Sequence, residues 1–298
     1  MTPSERRAAF EKAKRLQLKE LIQANRDTAA EVQALLKQAK AELQAILRGA
    51  PTDFQAFQLP QLNRSIDGVM AEIETALSRH AGERATTAHA MGQALIDKPI
   101  QAAGINIAAF LPEVDTRQLI AIRNFMTDRL KAATIDAAAS VRASLGLVVI
   151  GSKTHSEAVA DVAHYMETTR SRAWTIVRTE VGRAYATASQ ERKMMASAYL
   201  PGLKKQWRRS GKIHSRKAHD AADGQIVPVE QPFIIDGHKL MHPRDPAAPA
   251  SETINCGCLS LPIMDHWQVR TPGRQAFTQE ELKLNPFKRD LAAALGSK

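Results

Sequence analysis

Lys204-Lys205-Gln206-Trp207-Arg208-Arg209 and then Arg216-Lys217-Ala218-His219-Asp220-Ala221-Ala222-Asp223-Gly224 open the stretch in which this 298-residue chain changes texture. Ahead of Pro201-Gly202, apolar residues recur mostly at helical spacing. Behind it come short apolar runs separated by turns, at 225–229, 233–235, 239–241 and 258–263. Asp223-Gly224 and Asp236-Gly237 are turn signals, and most of the chain's prolines lie in this part. The pattern predicts an α+β protein: a long, mostly helical N-terminal region, then a small loop-rich α+β domain with short antiparallel strands.

Upstream, Thr2-Pro3-Ser4-Glu5 reads as a helix start, with Thr as cap, Pro at the first helical position and a Glu positioned to cap in return. The helix it opens runs to about Leu47 and is stopped by Gly49-Ala50-Pro51. Further helices are expected at 62–79, at 83–96 (ended by Lys98-Pro99) and at 115–145. Thr154-His155-Ser156-Glu157 is a second capping box, opening a helix to Tyr199 long enough to predict a bend near 168–171 or Gly182. Downstream of Asp265 the tail is polar, with short helices from Gln279 and after Phe287, and reads as an extension that docks on something. The expected division is a helical arm at 1–150, an α+β domain at 151–264 and a C-terminal extension at 265–298.

Apolar residues make up 44% of the chain and aromatics only 5%, which favours helices packed through small side chains over a β-sandwich. The formal charge is +10, of which residues 1–150 carry +3 and residues 151–298 carry +7. A basic second half suits a polyanionic partner such as DNA or an acidic protein surface. The N-terminus lacks the apolar core of a secretory signal, and the longest strongly apolar patch, 145–150, falls far short of a membrane span. A soluble protein that stays where it is made is the expectation. Two cysteines are too few for a disulfide framework and fit a reducing compartment.

Three features carry candidate chemistry. Lys204, Lys205, Arg208, Arg209, Lys212, Arg216 and Lys217 form a run without an acid, interleaved with Trp207. It reads either as a phosphate-contacting strip with an aromatic to pack on a base, or as a solvated face whose Trp207 points into the core. Cys256-Gly257-Cys258 places two thiols on one side of an extended chain, where both reach a single zinc ion. His219, His242, Asp223 and His214 are the candidates to complete such a site. The competing reading is two small buried side chains. His219-Asp220 with Asp223 is a minimal acid–base kit, but the chain shows no nucleophile elbow, phosphate-binding glycine loop or H-E-x-x-H pattern.

Together these motifs resemble the signature region of the Mu protein F-like family of phage minor head proteins. That pattern has T-E-x-x-R-A on a helix, here Thr179 to Ala184, then a Trp-bearing strand, here Trp207. R-x-x-H-x-x-x-D-G follows at Arg216 to Gly224, then an apolar strand at 233–235, a P-x-D segment at Pro243-Arg244-Asp245 and a closing N-C-R-C, here Asn255-Cys256-Gly257-Cys258. Gly257 replaces the family's Arg, and Lys212 and His214 stand where acidic and Arg residues are often found. The resemblance implies a virion protein without enzymatic turnover, present in few copies and bound near the portal vertex inside the procapsid. It would act in head assembly and in DNA packaging or ejection. The implied partners are portal, major capsid and scaffold proteins and packaged double-stranded DNA, with no membrane. The implied location is the capsid interior or portal vertex, and the host cytoplasm during assembly. His219, Asp223, Cys256 and Cys258 would fasten the domain, with or without zinc. The rival reading is a DNA-binding or DNA-processing protein using 204–217. Some members of the family carry fused ADP-ribosyltransferase modules, and the roughly 40 residues after the signature leave no room for one.

Overall fold

The computed structural model describes residues 1–50, 58–107, 110–266 and 274–296. Pro51, the expected helix stop, and residues 267–273 and 297–298 of the polar tail lie outside the described residues. Four long helices come first: α1 Pro3–Gly49, α2 Leu59–Ala102, α3 Arg117–Val149 and α4 His155–Ser197. Both predicted capping boxes form. Thr2 N donates to Glu5 and Glu5 N to Thr2 Oγ1, and Thr154 and Glu157 repeat the exchange.

Two sequence expectations fail for identifiable reasons. The helices expected at 62–79 and 83–96 are one helix, α2, which runs through Pro99. Pro99 forfeits one backbone donor, but Leu95, Ile96, Ile100 and Ala103 around it are almost fully buried, and Ala103 N donates to the Pro99 carbonyl at 3.1 Å. Burial of that apolar turn outweighs the lost bond. Nor is α4 broken where a break or bend was expected: it is one continuous helix of 43 residues. Gly182 is there for close approach, since the Arg244 guanidinium fills the space a Cβ would take.

The packing divides the chain into two compact units that differ from the expected boundary at 150. One comprises residues 22–85 and 120–180. Its buried apolar positions recur every three or four residues: Val32, Leu36, Ala39, Leu43 and Leu47 on α1, Ile66, Met70, Ile73 and Leu77 on α2, and Ile122, Met126, Leu130, Ala133 and Ala137 on α3. Polar contacts link neighbouring helices around this core: Arg84 to Glu31, Arg142 to Asp67, Arg172 to Asp136 at 2.6 Å, and His155 Nε2 to the Leu47 carbonyl at 2.7 Å. By length and composition α3 is apolar enough to cross a membrane, the single such helix among the described residues. Its many alanines raise the average without forming the continuous aliphatic run sought in the sequence.

The other unit comprises residues 1–21, 86–119 and 181–298. It holds the strands β1 Leu203–Arg208, β2 Ile226–Pro228, β3 Phe233–Ile235, β4 His238–Leu240 and β5 Leu259–Met264, with short helices α5 Lys217–Ala221 and α6 Ala250–Thr253. The strands form an antiparallel sheet of order β2-β1-β5 and a separate β3-β4 hairpin. Trp207 is opposite Ser260 and Gln206 opposite Ile226. Asp236 and Gly237 close the hairpin, both at positive φ (50° and 77°), the backbone an Asp-Gly two-residue turn supplies. Trp207, Phe233, Ile235, Leu240, Cys256 and Cys258 form the small core. From α4, Gln190 donates to the Val229 carbonyl at 2.9 Å and Lys193 to Ser260 Oγ at 2.6 Å, joining the helix to the strand region.

The C-terminal extension docks on its own unit through α7 Gln279–Leu284 and α8 Pro286–Gly296. Thr278 caps α7 with the reciprocal Glu281 box. The Glu281 carboxylate meets Arg209 of the basic run and, at 2.7 Å, Lys288 of α8. All three side chains are at most 2% exposed.

Candidate metal centre

The strand order brings the predicted Cys pair against α5. His219 Nδ1 lies 3.6 Å from Sγ of Cys256 and 3.5 Å from Sγ of Cys258. The three ligand atoms all fall within 4.8 Å of one another, and each residue is 2% exposed. Asn255, at φ 55°, turns the chain in the left-handed region just before the pair, a conformation Asn tolerates better than most residues. The Cys258 backbone N–H then points at the Cys256 sulfur, 3.4 Å away. Trp207 stands edge-on to the imidazole with ring centroids 5.4 Å apart.

The electrostatics distinguish the two sulfurs. A hydrogen bond from Cys258, helped by His219 and opposed by burial, holds Cys256 well below the usual thiol range. The same bond, together with burial, pushes Cys258 well above it. Burial works against the charged imidazole, yet the Cys256 and Glu252 contacts outweigh it and His219 is raised. One imidazole nitrogen faces two sulfurs almost equally, and one N–H cannot point at both. Bonds of about 2.3 Å to sulfur and about 2.0–2.1 Å to nitrogen at a tetrahedral angle separate S from N by about 3.5–3.6 Å. The cluster matches that edge length and could hold a metal ion.

The other candidate ligands are elsewhere. Asp223 is a correction: its carboxylate accepts from the backbone N–H groups of Arg209 and Gln275 and faces Arg208, so it pins the end of β1 instead of joining the cluster. His242 is also engaged elsewhere, with Nδ1 3.0 Å from the Pro243 carbonyl and burial pulling its pKa down to about 4. His214 is exposed and lines the cleft over the cluster. The residue that sequence reasoning missed is Glu252, whose Oε2 is 2.8 Å from His219 Nε2. The available signal was a carboxylate four residues ahead of the cysteines, on what proves to be α6.

The basic run is not a continuous surface, which corrects the phosphate-strip reading. Trp207 and Lys205 are fully buried and Arg209 is 2% exposed, because alternate residues of β1 face inward. The Lys205 amine donates to the Met241 carbonyl at 2.7 Å, and burial lowers its pKa to about 8. Lys204 pairs with Asp265, Arg208 donates to Gln206, and Lys212 and Arg216 donate to the carbonyls of Asn255 and Ile254. Lys217 sits over the Phe287 ring.

Comparison with known proteins places these residues in a wider set. A family model described as "Phage Mu protein F like protein" matches residues 102–261, which include the whole cluster. An "NAD(+)--arginine ADP-ribosyltransferase EFV" of Enterococcus faecalis (strain ATCC 700802 / V583) is 31% identical over 113 residues, 38% of this chain and 23% of that protein. An "Uncharacterized protein YqbB" of Bacillus subtilis (strain 168) is 38% identical over 101 residues, 32% of each chain. The chain thus spans about a quarter to a third of the length of these curated relatives. No solved structure matches the chain.

Proposed function

The chain belongs to the phage Mu protein F-like family, and on that premise we propose that it is a phage head-morphogenesis protein, a minor capsid component bound near the portal inside the procapsid. It acts in head assembly and in DNA packaging or ejection. The observation that carries this reading is the family match itself, which runs from the end of α2 through α3 and α4 into β5. The ADP-ribosyltransferase relative shares under a quarter of its own length with this chain, and a protein without that name matches over a similar length. The shared region therefore carries no argument for transferase activity. Nor is DNA binding through 204–217 favoured, with Lys205, Trp207 and Arg209 buried.

The test is co-assembly. Expressed with the portal and major capsid proteins of its phage, the full chain is expected to sediment with procapsids in few copies. Recovery only in the free fraction, from particles that otherwise assemble normally, would sink the proposal.

Within that protein, His219, Cys256 and Cys258 bind zinc, which fastens a domain whose apolar core is small. The matching tetrahedral edge supports this, as does the carboxylate on the outer imidazole nitrogen, a common support for metal-bound histidine. Metal analysis of the purified full chain is expected to give one zinc per chain, lost in Cys256→Ser/Cys258→Ser. A metal-free, folded wild type would remove the metal and leave the assembly role untouched.

A further inference from the structure

We propose that the His219–Cys256–Cys258 centre is a three-ligand metal site whose remaining position opens to solvent and takes a small anion from outside the chain. This rests on the metal reading above and adds to it a ligand-binding function.

Three observations converge on it. First, the ligands form the floor of an open cleft of ≈ 260 Å³, whose walls include Ser210, Lys212, His214, Arg216 and Asn255. The other sides of the cluster are filled: Trp207 packs on the imidazole, and Glu252 occupies its outer nitrogen. A metal seated on those three atoms thus has its fourth position on the cleft side. Second, the described residues that might have closed the site are committed elsewhere. Asp223 is held by Arg209 and Gln275, His242 by the Pro243 carbonyl, and Oδ2 of Asp220 by Ser215 and Lys288, while the exposed His214 stands at the cleft wall. Sites with four protein ligands are structural, and those with three keep a position for water or an added ligand.

Third, the charge selects an anion. Two thiolates and one divalent ion cancel, and the Glu252 carboxylate behind the imidazole leaves one negative charge, which the two wall cations outweigh. Lys212 and Arg216 stand at the cleft wall, anchored by the carbonyls of Asn255 and Ile254 at 2.6 and 2.8 Å. Two cations on one wall attract a negative ligand. The volume sets the size: sites for drug-sized ligands begin at about 300 Å³. The cleft therefore has ample room for a small ion.

The test uses the full chain loaded with cobalt(II), whose visible bands report coordination, with sodium azide as the probe anion. The expected result is one cobalt per chain and a saturable spectral change on adding azide, in wild type and in His214→Ala alike. One cobalt per chain with bands indifferent to azide but altered by His214→Ala would overturn the proposal, because His214 then closes the site. It would leave the metal reading intact. Failure to bind cobalt or zinc stoichiometrically would remove the metal reading and this proposal together.

Discussion

The Glu252 carboxylate lies 2.8 Å from Nε2 of His219, on the ring nitrogen that faces away from the two sulfurs. With Nε2–H donating to that carboxylate, Nδ1 is left as the free lone pair on the sulfur side. Glu252 thus fixes the tautomer and makes the imidazole a stronger donor. Glu252→Ala is expected to weaken metal affinity by roughly 10- to 100-fold with the ligands all present. Glu252→Gln, which keeps an acceptor oxygen, is expected to fall between. Chelator competition on the full chain measures both, and affinity equal to wild type in Glu252→Ala would rule out this orienting role.

Trp207 touches both His219 and Phe233 edge-on, at 5.4 and 5.3 Å between centroids, and has no exposed surface. Trp207→Ala is expected to cost about 3–5 kcal/mol, the range for a large aromatic removed from a core. Urea unfolding followed by far-ultraviolet dichroism checks it. A loss under 1 kcal/mol would place the indole outside the core.

Two glycines on the same helix are expected to respond with opposite signs. Gly68 of α2 has open space where a Cβ would go, so Gly68→Ala gains helix propensity of roughly 0.5–1 kcal/mol. At Gly92 that Cβ would run into the backbone carbonyl of Tyr185 on α4, which cannot swing aside as a side chain can. There the propensity gain is outweighed by overpacking of about 1–3 kcal/mol, and Gly92→Ala destabilises. Unfolding curves for both variants that shift in the same direction would contradict the helix contact at Gly92.

Acid should release the C-terminal extension. Burial raises the Glu281 carboxyl, but hydrogen bonds from Arg209 and Lys288 overcome it and bring its pKa to about 2. Its folded pKa lies below the unfolded value of about 4.3, so the folded state binds the proton less readily. The stabilisation is complete above the unfolded value and is lost as pH falls through about 4 toward 2. Glu281→Gln is expected to lose it at neutral pH, by about 3–5 kcal/mol, because buried Arg209 loses its carboxylate partner while Lys288 keeps only Asp220, at 3.5 Å. Proteolysis after residue 266, followed against pH, reads both effects.

The long helices were legible because two capping boxes and a three-to-four spacing of apolar residues state them locally. Thr179 to Cys258 gave the family because several short motifs, on α4, β1, α5, β3 and the turns that follow, stand in one fixed order along the chain. The continuity of α2 through Pro99 was hidden, because what sustains it is burial and not propensity. The place of Asp223 outside the cluster and of Glu252 beside His219 was hidden for the same reason. Both are acids near the histidine in sequence or space, and only the fold determines which carboxylate faces Nε2 and which faces Arg209. The basic run left two readings open because charge along the chain says nothing about the pleat: Lys205 and Arg209 point inward to partners 36 and 72 residues downstream.

The ion network of Arg209, Glu281 and Lys288 also fixes an order in time. On the ribosome, Arg209 is synthesised 72 residues before the carboxylate that neutralises it, and Lys288 follows seven residues later still. Until then the nascent strand must keep that guanidinium in water, so β1 cannot sink fully into place. The four-helix unit, complete by residue 180, has no such debt to later sequence. The unit that holds β1, by contrast, has its buried charges paired only once Glu281 and Lys288 have been made.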